Sequence, residues 1–160
     1  VVNMMRGGPG LGNIAGAQGD YFQATKGGGN GDYRLIVLAP STVQELADLT
    51  VLAFDLADEY RMVAMILGDG YLGQMSESLE LPKPTGKVFD KSSWALTGCA
   101  GRAPYIVRSI RLTPEAALEE LNLALQATYQ QANEREDRSE SLQYEDAKYL
   151  LHAIRLSARV

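Results

Sequence analysis

Cysteine and histidine are scarce in this 160-residue chain, which contains one of each, Cys99 and His152. One cysteine cannot form an internal disulfide, and it cannot alone hold an iron–sulfur cluster or a closed zinc site, because these need several ligands. His152 lies in an apolar run, which favours a core or surface position over a catalytic base. We therefore expect no catalytic residue and no metal ligand here, and any redox cluster must lie on another chain.

Basic residues and long apolar runs are scarce as well. Lys and Arg total 15 against 20 Asp and Glu, a formal net charge of −5, so the clustered positive charge that binds nucleic acid or anionic lipid is not expected. The longest apolar run, Met62 to Leu67, is far shorter than the roughly 20 residues of a membrane span. The first residues do not resemble a signal peptide. These features predict a cytoplasmic protein without nucleic-acid or membrane partners.

Three short apolar runs are typical of buried strands. Residues 1–5 run into a glycine cluster, residues 35–39 end at Pro40, and residues 62–67 stop at a Gly-Asp-Gly turn. A helix predicted over residues 42–60 connects the second run to the third, and this order indicates a parallel α/β sheet. Because the first run opens the chain without a polar terminus, we expect an internal fragment of a longer protein.

The predicted helix has a start signal and an apolar face. Ser41 and Gln44 match the capping box, in which each side chain satisfies a backbone amide at the helix start. Apolar and small residues recur at helical spacing, and we expect their face to pack on the sheet. They are Val43, Leu46, Ala47, Thr50, Ala53, Phe54, Ala57 and Tyr60.

The second half of the chain has weaker patterns. Proline and glycine interrupt residues 76–111, and only residues 105–107 resemble a strand. Thr113 and Pro114 are a favourable helix cap and first helical residue, whereas residues 147–160 fit either a strand or a helix. The helix after Pro114 carries a narrow apolar stripe, formed by Leu118, Leu121, Leu125, Tyr129 and Ala132.

A glycine cluster follows the first predicted strand, since ten of the 16 glycines lie between Gly7 and Gly31. It indicates tight turns or backbone close to a ligand, because Gly tolerates positive φ and has no Cβ; a flexible surface loop is the alternative. Within it, Gly10 to Ala15 fits the G-x-G-x-x-A dinucleotide fingerprint. That fingerprint opens a helix directly, whereas more glycines follow here, so a nicotinamide cofactor is not favoured.

Gly68-Asp69-Gly70 is similar to the first half of the thiamine diphosphate motif, in which Asp and a downstream Asn bind magnesium. No asparagine occurs between Asn30 and Asn122, so the second half is missing. We therefore predict a tight turn at this position and no magnesium site.

Arg6 is the most informative charged residue of the chain. It stands at the carboxyl end of a predicted buried strand, where open α/β sheets place their ligands. Its planar guanidinium can bind a carboxylate through two parallel hydrogen bonds. A structural salt bridge with Asp20 or Asp32 is an equally weighted interpretation of the spacing.

Four segments of the first half closely resemble the α subunit of 2-oxoacid:ferredoxin oxidoreductases, in particular the 2-oxoisovalerate (3-methyl-2-oxobutanoate dehydrogenase) type. The segments are Val2-Asn3-Met4-Met5-Arg6-Gly7-Gly8-Pro9-Gly10-Leu11-Gly12-Asn13-Ile14, Gln18-Gly19-Asp20-Tyr21, Gly31-Asp32-Tyr33 and Ile66-Leu67-Gly68-Asp69-Gly70-Tyr71-Leu72-Gly73-Gln74-Met75. The resemblance implies oxidative decarboxylation of a 2-oxoacid to an acyl-coenzyme A, with electrons passed to ferredoxin.

The same resemblance implies the cofactors and partners. Thiamine diphosphate with magnesium would be held mainly by a thiamine-binding β subunit, and iron–sulfur clusters would lie on partner subunits, which include γ and ferredoxin-like δ subunits. Coenzyme A and ferredoxin would be the other partners. None of these cofactors would be bound by this chain alone, and the fragment would be inactive by itself.

Site residues and domains also follow from the resemblance. Arg6 matches the family's arginine that holds the substrate carboxylate, and Gly7 and Gly8 would let backbone approach the ligand. Residues 1–111 would be the C-terminal portion of the pyrimidine-binding domain, residues 112–143 a helix and charged linker, and residues 144–160 the start of a transketolase C-terminal-like domain.

Two alternatives remain open. A 2-oxoglutarate-type enzyme would need another cation near Arg6 for the second carboxylate, and Lys26 and Arg34 are the nearby candidates. A non-catalytic α/β module could instead use the glycine loop to hold a phosphate or a partner protein.

Overall fold

The computed structural model describes residues 1–27, 29–31, 33–107, 110–112, 115–139, 145 and 148, leaving out the side chains of 115–117. The described residues fall into two compact units, one within Val1–Lys87 and one formed by Val88–Arg138. The predicted helix cap at Thr113 and Pro114 and nearly all of the tail lie outside the described residues.

A three-stranded parallel sheet organises the first unit. Its strands are β1 (Val2–Met5), β2 (Ile36–Leu38) and β3 (Ala64–Asp69), in the order β1-β3-β2. In the register, Met5 lies opposite Asp69 and Leu38 opposite Ile66. β3 has a neighbour on each side, which explains its nearly continuous apolar sequence. The predicted parallel α/β sheet is confirmed.

Helices α1 (Tyr21–Thr25) and α2 (Val43–Tyr60) pack against this sheet. Side chains alternate between the two faces of a strand, and one face places Met5 and Leu67 against Ala24 of α1 in a buried cluster. The carboxylate of Asp69 follows Leu67 on this same face, at the end of β3. The core therefore extends to the edge of the sheet at which β1 and β3 end.

The packed face of α2 differs in part from the predicted one. Leu56 is 1% exposed and Tyr60 is buried, whereas Phe54 is 73% exposed. The expectation that α2 packs on the sheet is confirmed, but the placement of Phe54 on the packed face is wrong. Phe54 and Leu56 lie about 200° apart on the helix at 3.6 residues per turn, so only one of them can face the sheet.

The start of α2 is capped by Thr42 rather than by Ser41. The Thr42 hydroxyl oxygen accepts from the Glu45 amide at 3.0 Å, and the Glu45 carboxylate accepts from the Ser41 amide at 2.7 Å and from the Ser41 hydroxyl. The predicted pair of Ser41 with Gln44 is therefore wrong by one position. Gln44 instead exchanges two 2.9 Å hydrogen bonds with the Glu80 backbone.

Replacing Thr42 by alanine should lower the free energy of unfolding by about 1 kcal/mol, because a helix amide loses its acceptor. Thr42→Ser should keep most of the stability, since serine supplies an equivalent oxygen. Thr50→Ala is the matched control, because the Thr50 hydroxyl donates only to the Leu46 carbonyl inside the helix. Urea unfolding of the three variants checks this, and an effect of Thr50→Ala as large as that of Thr42→Ala would contradict the assigned cap.

Outside the sheet, the chain between Met75 and Leu112 forms no helix or strand in its described residues, as expected. Residues 105–107, which resemble a strand in sequence, are exposed and unpaired with any described strand. The Asp90 carboxylate accepts hydrogen bonds from the Ser92 side chain and amide, which lower the pKa of Asp90 below its ordinary value.

The second unit contains the long helix α3 (Glu115–Glu136). Of its predicted apolar stripe, Ala132 is buried and Tyr129 is half-buried, while the remaining members, Leu118, Leu121 and Leu125, are exposed. None of the helices that the structure describes combines the length and apolar character needed to cross a bilayer.

Candidate functional site

Arg6 is the first residue after β1 and lies at the carboxyl edge of the sheet. Its backbone forms an isolated antiparallel bridge with Gly16, and its side chain is exposed. No described carboxylate forms an ion pair with the Arg6 guanidinium. Asp20, one of the two predicted partners, accepts from Asn3 at 3.2 Å instead, and Asp32 lies outside the described residues.

The glycine loop after Arg6 is closed by its own backbone hydrogen bonds. The Gly7 amide donates to the Ala15 carbonyl at 3.1 Å, and the Asn13 amide donates to the Gly7 carbonyl at 2.9 Å. The Gly12 amide donates to Pro9 at 3.2 Å, and the Asn13 side chain accepts from the Ala15 amide at 3.0 Å. These contacts define a folded turn rather than the flexible loop that composition alone allows.

Gly7 and Gly8, the predicted neighbours of Arg6 in the site, occupy different surroundings. A Cβ on Gly7 would lie 2.7 Å from the Asn13 side-chain oxygen, whereas a Cβ on Gly8 would meet nothing within 4 Å. Gly8 is also exposed and precedes a cis peptide bond to Pro9. A substituent on Gly8 would therefore enter open space, whereas one on Gly7 would collide with the Asn13 side chain of the same loop.

The dinucleotide fingerprint at Gly10 to Ala15 does not open a helix. The next helix, α1, begins only at Tyr21 and is five residues long. A dinucleotide site needs the helix amino terminus directly at the glycine turn. The geometry agrees with the sequence-based argument against a nicotinamide cofactor.

Asp69 ends β3 and is 5% exposed. One of its carboxylate oxygens accepts from the Tyr71 amide at 2.8 Å, and the other accepts from the Gln18 side-chain amide at 3.1 Å. The first bond closes a turn of the kind that Asp favours, so the predicted tight turn is confirmed. The Gln18 contact was not predicted, because it joins residues 51 positions apart that share no periodic pattern.

Two glycines allow the segments at this edge to approach closely. A Cβ on Gly70 would lie 2.5 Å from the Met5 carbonyl oxygen and 2.8 Å from the Gly16 Cα. A Cβ on Gly16 would lie 2.8 Å from the Tyr71 amide nitrogen. The Arg6, Gly16 and Gly70 segments are thus stacked against one another by backbone contacts that only glycine permits.

Lys26 and Arg34, the cations that a second substrate carboxylate would need, lie on either side of the glycines at the end of the cluster. Lys26 is the exposed cap at the end of α1, where its amide donates to the Phe22 carbonyl. Arg34 is exposed, and its guanidinium donates to the Tyr33 carbonyl at 3.1 Å.

Comparison with known proteins identifies the family. The family model described as pyruvate flavodoxin/ferredoxin oxidoreductase, thiamine diphosphate-binding, matches residues 1–148. The chain belongs to this family. The resemblance drawn from the Arg6 and Gly68 segments is therefore confirmed. No solved structure matches the chain.

Relatives within the family differ in how much of the chain they match. The ketoisovalerate oxidoreductase subunits VorB of Methanothermobacter marburgensis and Methanothermobacter thermautotrophicus are 48% and 46% identical over the whole chain, which covers 45% of each of them. The 2-oxoglutarate synthase subunit KorA of M. thermautotrophicus is 46% identical over 51% of the chain, which is 22% of that protein. The chain thus spans less than half the length of these curated relatives.

The family model is named for thiamine diphosphate binding, and Asp69 is the acidic residue that its sequence motif would offer to magnesium. Its two oxygens already accept from Tyr71 and Gln18. In the described part of the chain, no group of three or more His, Cys, Asp and Glu side chains is arranged to hold a metal ion. These residues therefore do not fit the magnesium–diphosphate end of the cofactor.

Proposed function

We propose that this chain is part of a 2-oxoacid:ferredoxin oxidoreductase subunit and holds the substrate carboxylate with Arg6. The complete enzyme would oxidatively decarboxylate a branched-chain 2-oxoacid, transfer the acyl group to coenzyme A and pass electrons to ferredoxin. The observation that carries the proposal is an exposed Arg6 guanidinium without an ion-pair partner among the described residues, two positions before Gly8, where a Cβ would meet no atom within 4 Å.

The chemistry of this position suits a 2-oxoacid. Arg6 offers a fork of donors that matches a carboxylate, and its charge strengthens each hydrogen bond. The backbone at Arg6 is held by β1, which ends at Met5, and by the bridge that Arg6 itself forms with Gly16. Because this backbone is already held, ordering it adds little to the entropy lost when the guanidinium binds a ligand.

A branched-chain substrate is favoured over 2-oxoglutarate for two reasons. Relatives named ketoisovalerate oxidoreductase match the whole chain, whereas the 2-oxoglutarate synthase subunits match 51–55% of it. A second carboxylate would also need a second cation, and Arg34 already donates to a neighbouring carbonyl. Lys26 is the remaining candidate for that contact.

The proposal assigns the cofactors to the assembly rather than to this chain. Thiamine diphosphate with magnesium would lie mainly on a thiamine-binding β subunit and iron–sulfur clusters on partner subunits, in a cytoplasmic complex that includes γ and ferredoxin-like δ subunits. Two observations support this division. Both carboxylate oxygens of Asp69 already accept hydrogen bonds, and Cys99 is a single, exposed cysteine.

Steady-state kinetics of the assembled enzyme with a panel of 2-oxoacids tests the substrate class. We expect coenzyme A-dependent ferredoxin reduction to be fastest with branched-chain 2-oxoacids. In the Lys26→Ala and Arg34→Ala variants, the KM for these substrates should stay within about twofold of the wild-type value. A preference for 2-oxoglutarate that either substitution abolishes would assign the chain to the dicarboxylate type. Absence of activity with every 2-oxoacid would leave the enzyme assignment without support.

A further inference from the structure

The Gly68-Asp69-Gly70 segment has no role in the proposed carboxylate binding, yet its aspartate is one of two buried polar side chains among the described residues. Its carboxylate connects two parts of the chain. The Tyr71 amide lies on one side at 2.8 Å and the Gln18 side chain on the other at 3.1 Å. Asp69 therefore links Gln18 to the end of the central strand β3.

The hydrogen bond between Gln18 and Asp69 lies next to Arg6 in the fold. Asp69 is in register with Met5, the residue before Arg6, so the two strands end side by side. Gln18 follows Gly16, whose backbone bridges to Arg6, by two residues. Gly19 is also adjacent, because a Cβ there would lie 3.9 Å from the Arg6 carbonyl oxygen. The segment from Gly16 to Gly19, which borders Arg6, is therefore linked to β3 through Gln18.

We propose that Gln18 and Asp69 are positioning residues for Arg6, which hold the Gly16 segment against it so that the guanidinium meets the substrate carboxylate in one orientation. This inference rests on the proposed carboxylate-binding role of Arg6. Neither residue touches the substrate. Both act through the backbone bridge between Arg6 and Gly16.

In the hydrogen bond between Gln18 and Asp69, the Gln18 amide donates and the Asp69 carboxylate accepts, and two substitutions can exchange these roles. In Gln18→Glu, two carboxylate oxygens would face each other at the former hydrogen bond, and their repulsion would release the loop. In the double variant Gln18→Glu with Asp69→Asn, the amide introduced at position 69 can donate to the new carboxylate and still offer an oxygen to the Tyr71 amide. The exchange restores the contact with its direction reversed.

Kinetics of the assembled enzyme tests the proposal. Gln18→Glu should raise the KM for the 2-oxoacid about tenfold, the size of a lost hydrogen bond to a charged group, with kcat changed much less. The exchanged double variant should return KM close to the wild-type value. The KM increase of Gln18→Glu should also shrink as the pH falls, because two adjacent carboxylates then share a proton and attract each other.

Gln23→Glu is the matched control, since Gln23 is exposed on α1 and the substitution adds the same charge nearby. It should leave KM unchanged. The Gly7 and Asn13 amides donate hydrogen bonds within the loop. Their hydrogen exchange rates therefore measure the stability of the loop independently of enzyme activity. Gln18→Glu should speed their exchange, and the double variant should restore their protection.

The two roles can fail separately. If Arg6→Ala raises KM but Gln18→Glu does not, Arg6 binds the carboxylate without help from this pair and the positioning proposal is wrong. If Arg6→Ala leaves KM unchanged, the proposed function of Arg6 is wrong, and hydrogen exchange then shows only whether the pair holds the loop. A double variant as impaired as Gln18→Glu would also overturn the proposal, because its contact is restored.

Discussion

Removing the Arg6 guanidinium should raise the KM for the 2-oxoacid by about 10- to 150-fold in the assembled enzyme. The range corresponds to about 1.5–3 kcal/mol for hydrogen bonds to a charged group. The substitution Arg6→Ala should affect KM more than kcat, because the carboxylate is held in the ground state as well as in the transition state. Steady-state kinetics with a saturating supply of coenzyme A and ferredoxin measures both constants.

The substitution Arg6→Lys distinguishes the contribution of the positive charge at position 6 from that of the planar guanidinium. Lysine keeps the charge but loses the planar fork, so its KM should lie between those of the wild type and Arg6→Ala. Lys26→Ala, which removes a cation at the end of α1, is the control for a general loss of positive potential. Equal KM values for the wild type and Arg6→Ala would remove Arg6 from the substrate site.

Gly70→Ala should lower the free energy of unfolding by about 3 kcal/mol. The added Cβ would lie 2.5 Å from the Met5 carbonyl oxygen and 2.8 Å from the Gly16 Cα. Both neighbours are backbone atoms, so no side-chain rotation relieves the clash. Urea unfolding monitored by circular dichroism gives the change directly.

Gly8→Ala is the matched control for Gly70→Ala, because a Cβ at Gly8 meets no atom within 4 Å. It should change the free energy of unfolding by less than about 0.5 kcal/mol. Similar losses in the two variants would show that the close approach of β1, Gly16 and Gly70 does not exist in solution.

The sheet was predictable from the sequence because each strand lies in a short run of apolar residues. The run from Met62 to Leu67 is apolar on both faces, and β3 lies between two neighbours, where both faces need apolar residues. The helix from Val43 was predictable in the same way, from periodicity over its full length. Such signals depend on residues close in sequence.

Details within these elements were less predictable. Ser41 and Thr42 are both good caps, and the choice of Thr42 depends on Glu45, whose carboxylate returns to the Ser41 amide. The resemblance of residues 105–107 to a strand was misleading, since β-branched residues alone do not supply a neighbouring strand. Packing of Leu56 instead of Phe54 depends on where the sheet lies, which periodicity leaves open.

The site was predictable only in part. The position of Arg6 at the end of β1 follows from the strand signal, and its role was suggested by the family motif. The hydrogen bond from Gln18 to Asp69 depends on the fold, because it joins two turns that approach only when β1 and β3 pair. The close contact of Gly16 with the Tyr71 segment has the same origin.

The central claim, that Arg6 recognises a carboxylate, is tested most directly by two unreactive ligands that differ in that group. Inhibition constants of 2-hydroxy-3-methylbutanoate and its carboxamide should be measured with the assembled wild-type enzyme and with Arg6→Ala. The wild type should bind the carboxylate more tightly than the amide by about 10-fold or more, and Arg6→Ala should bind the two about equally. An unchanged preference for the carboxylate in Arg6→Ala would contradict the account.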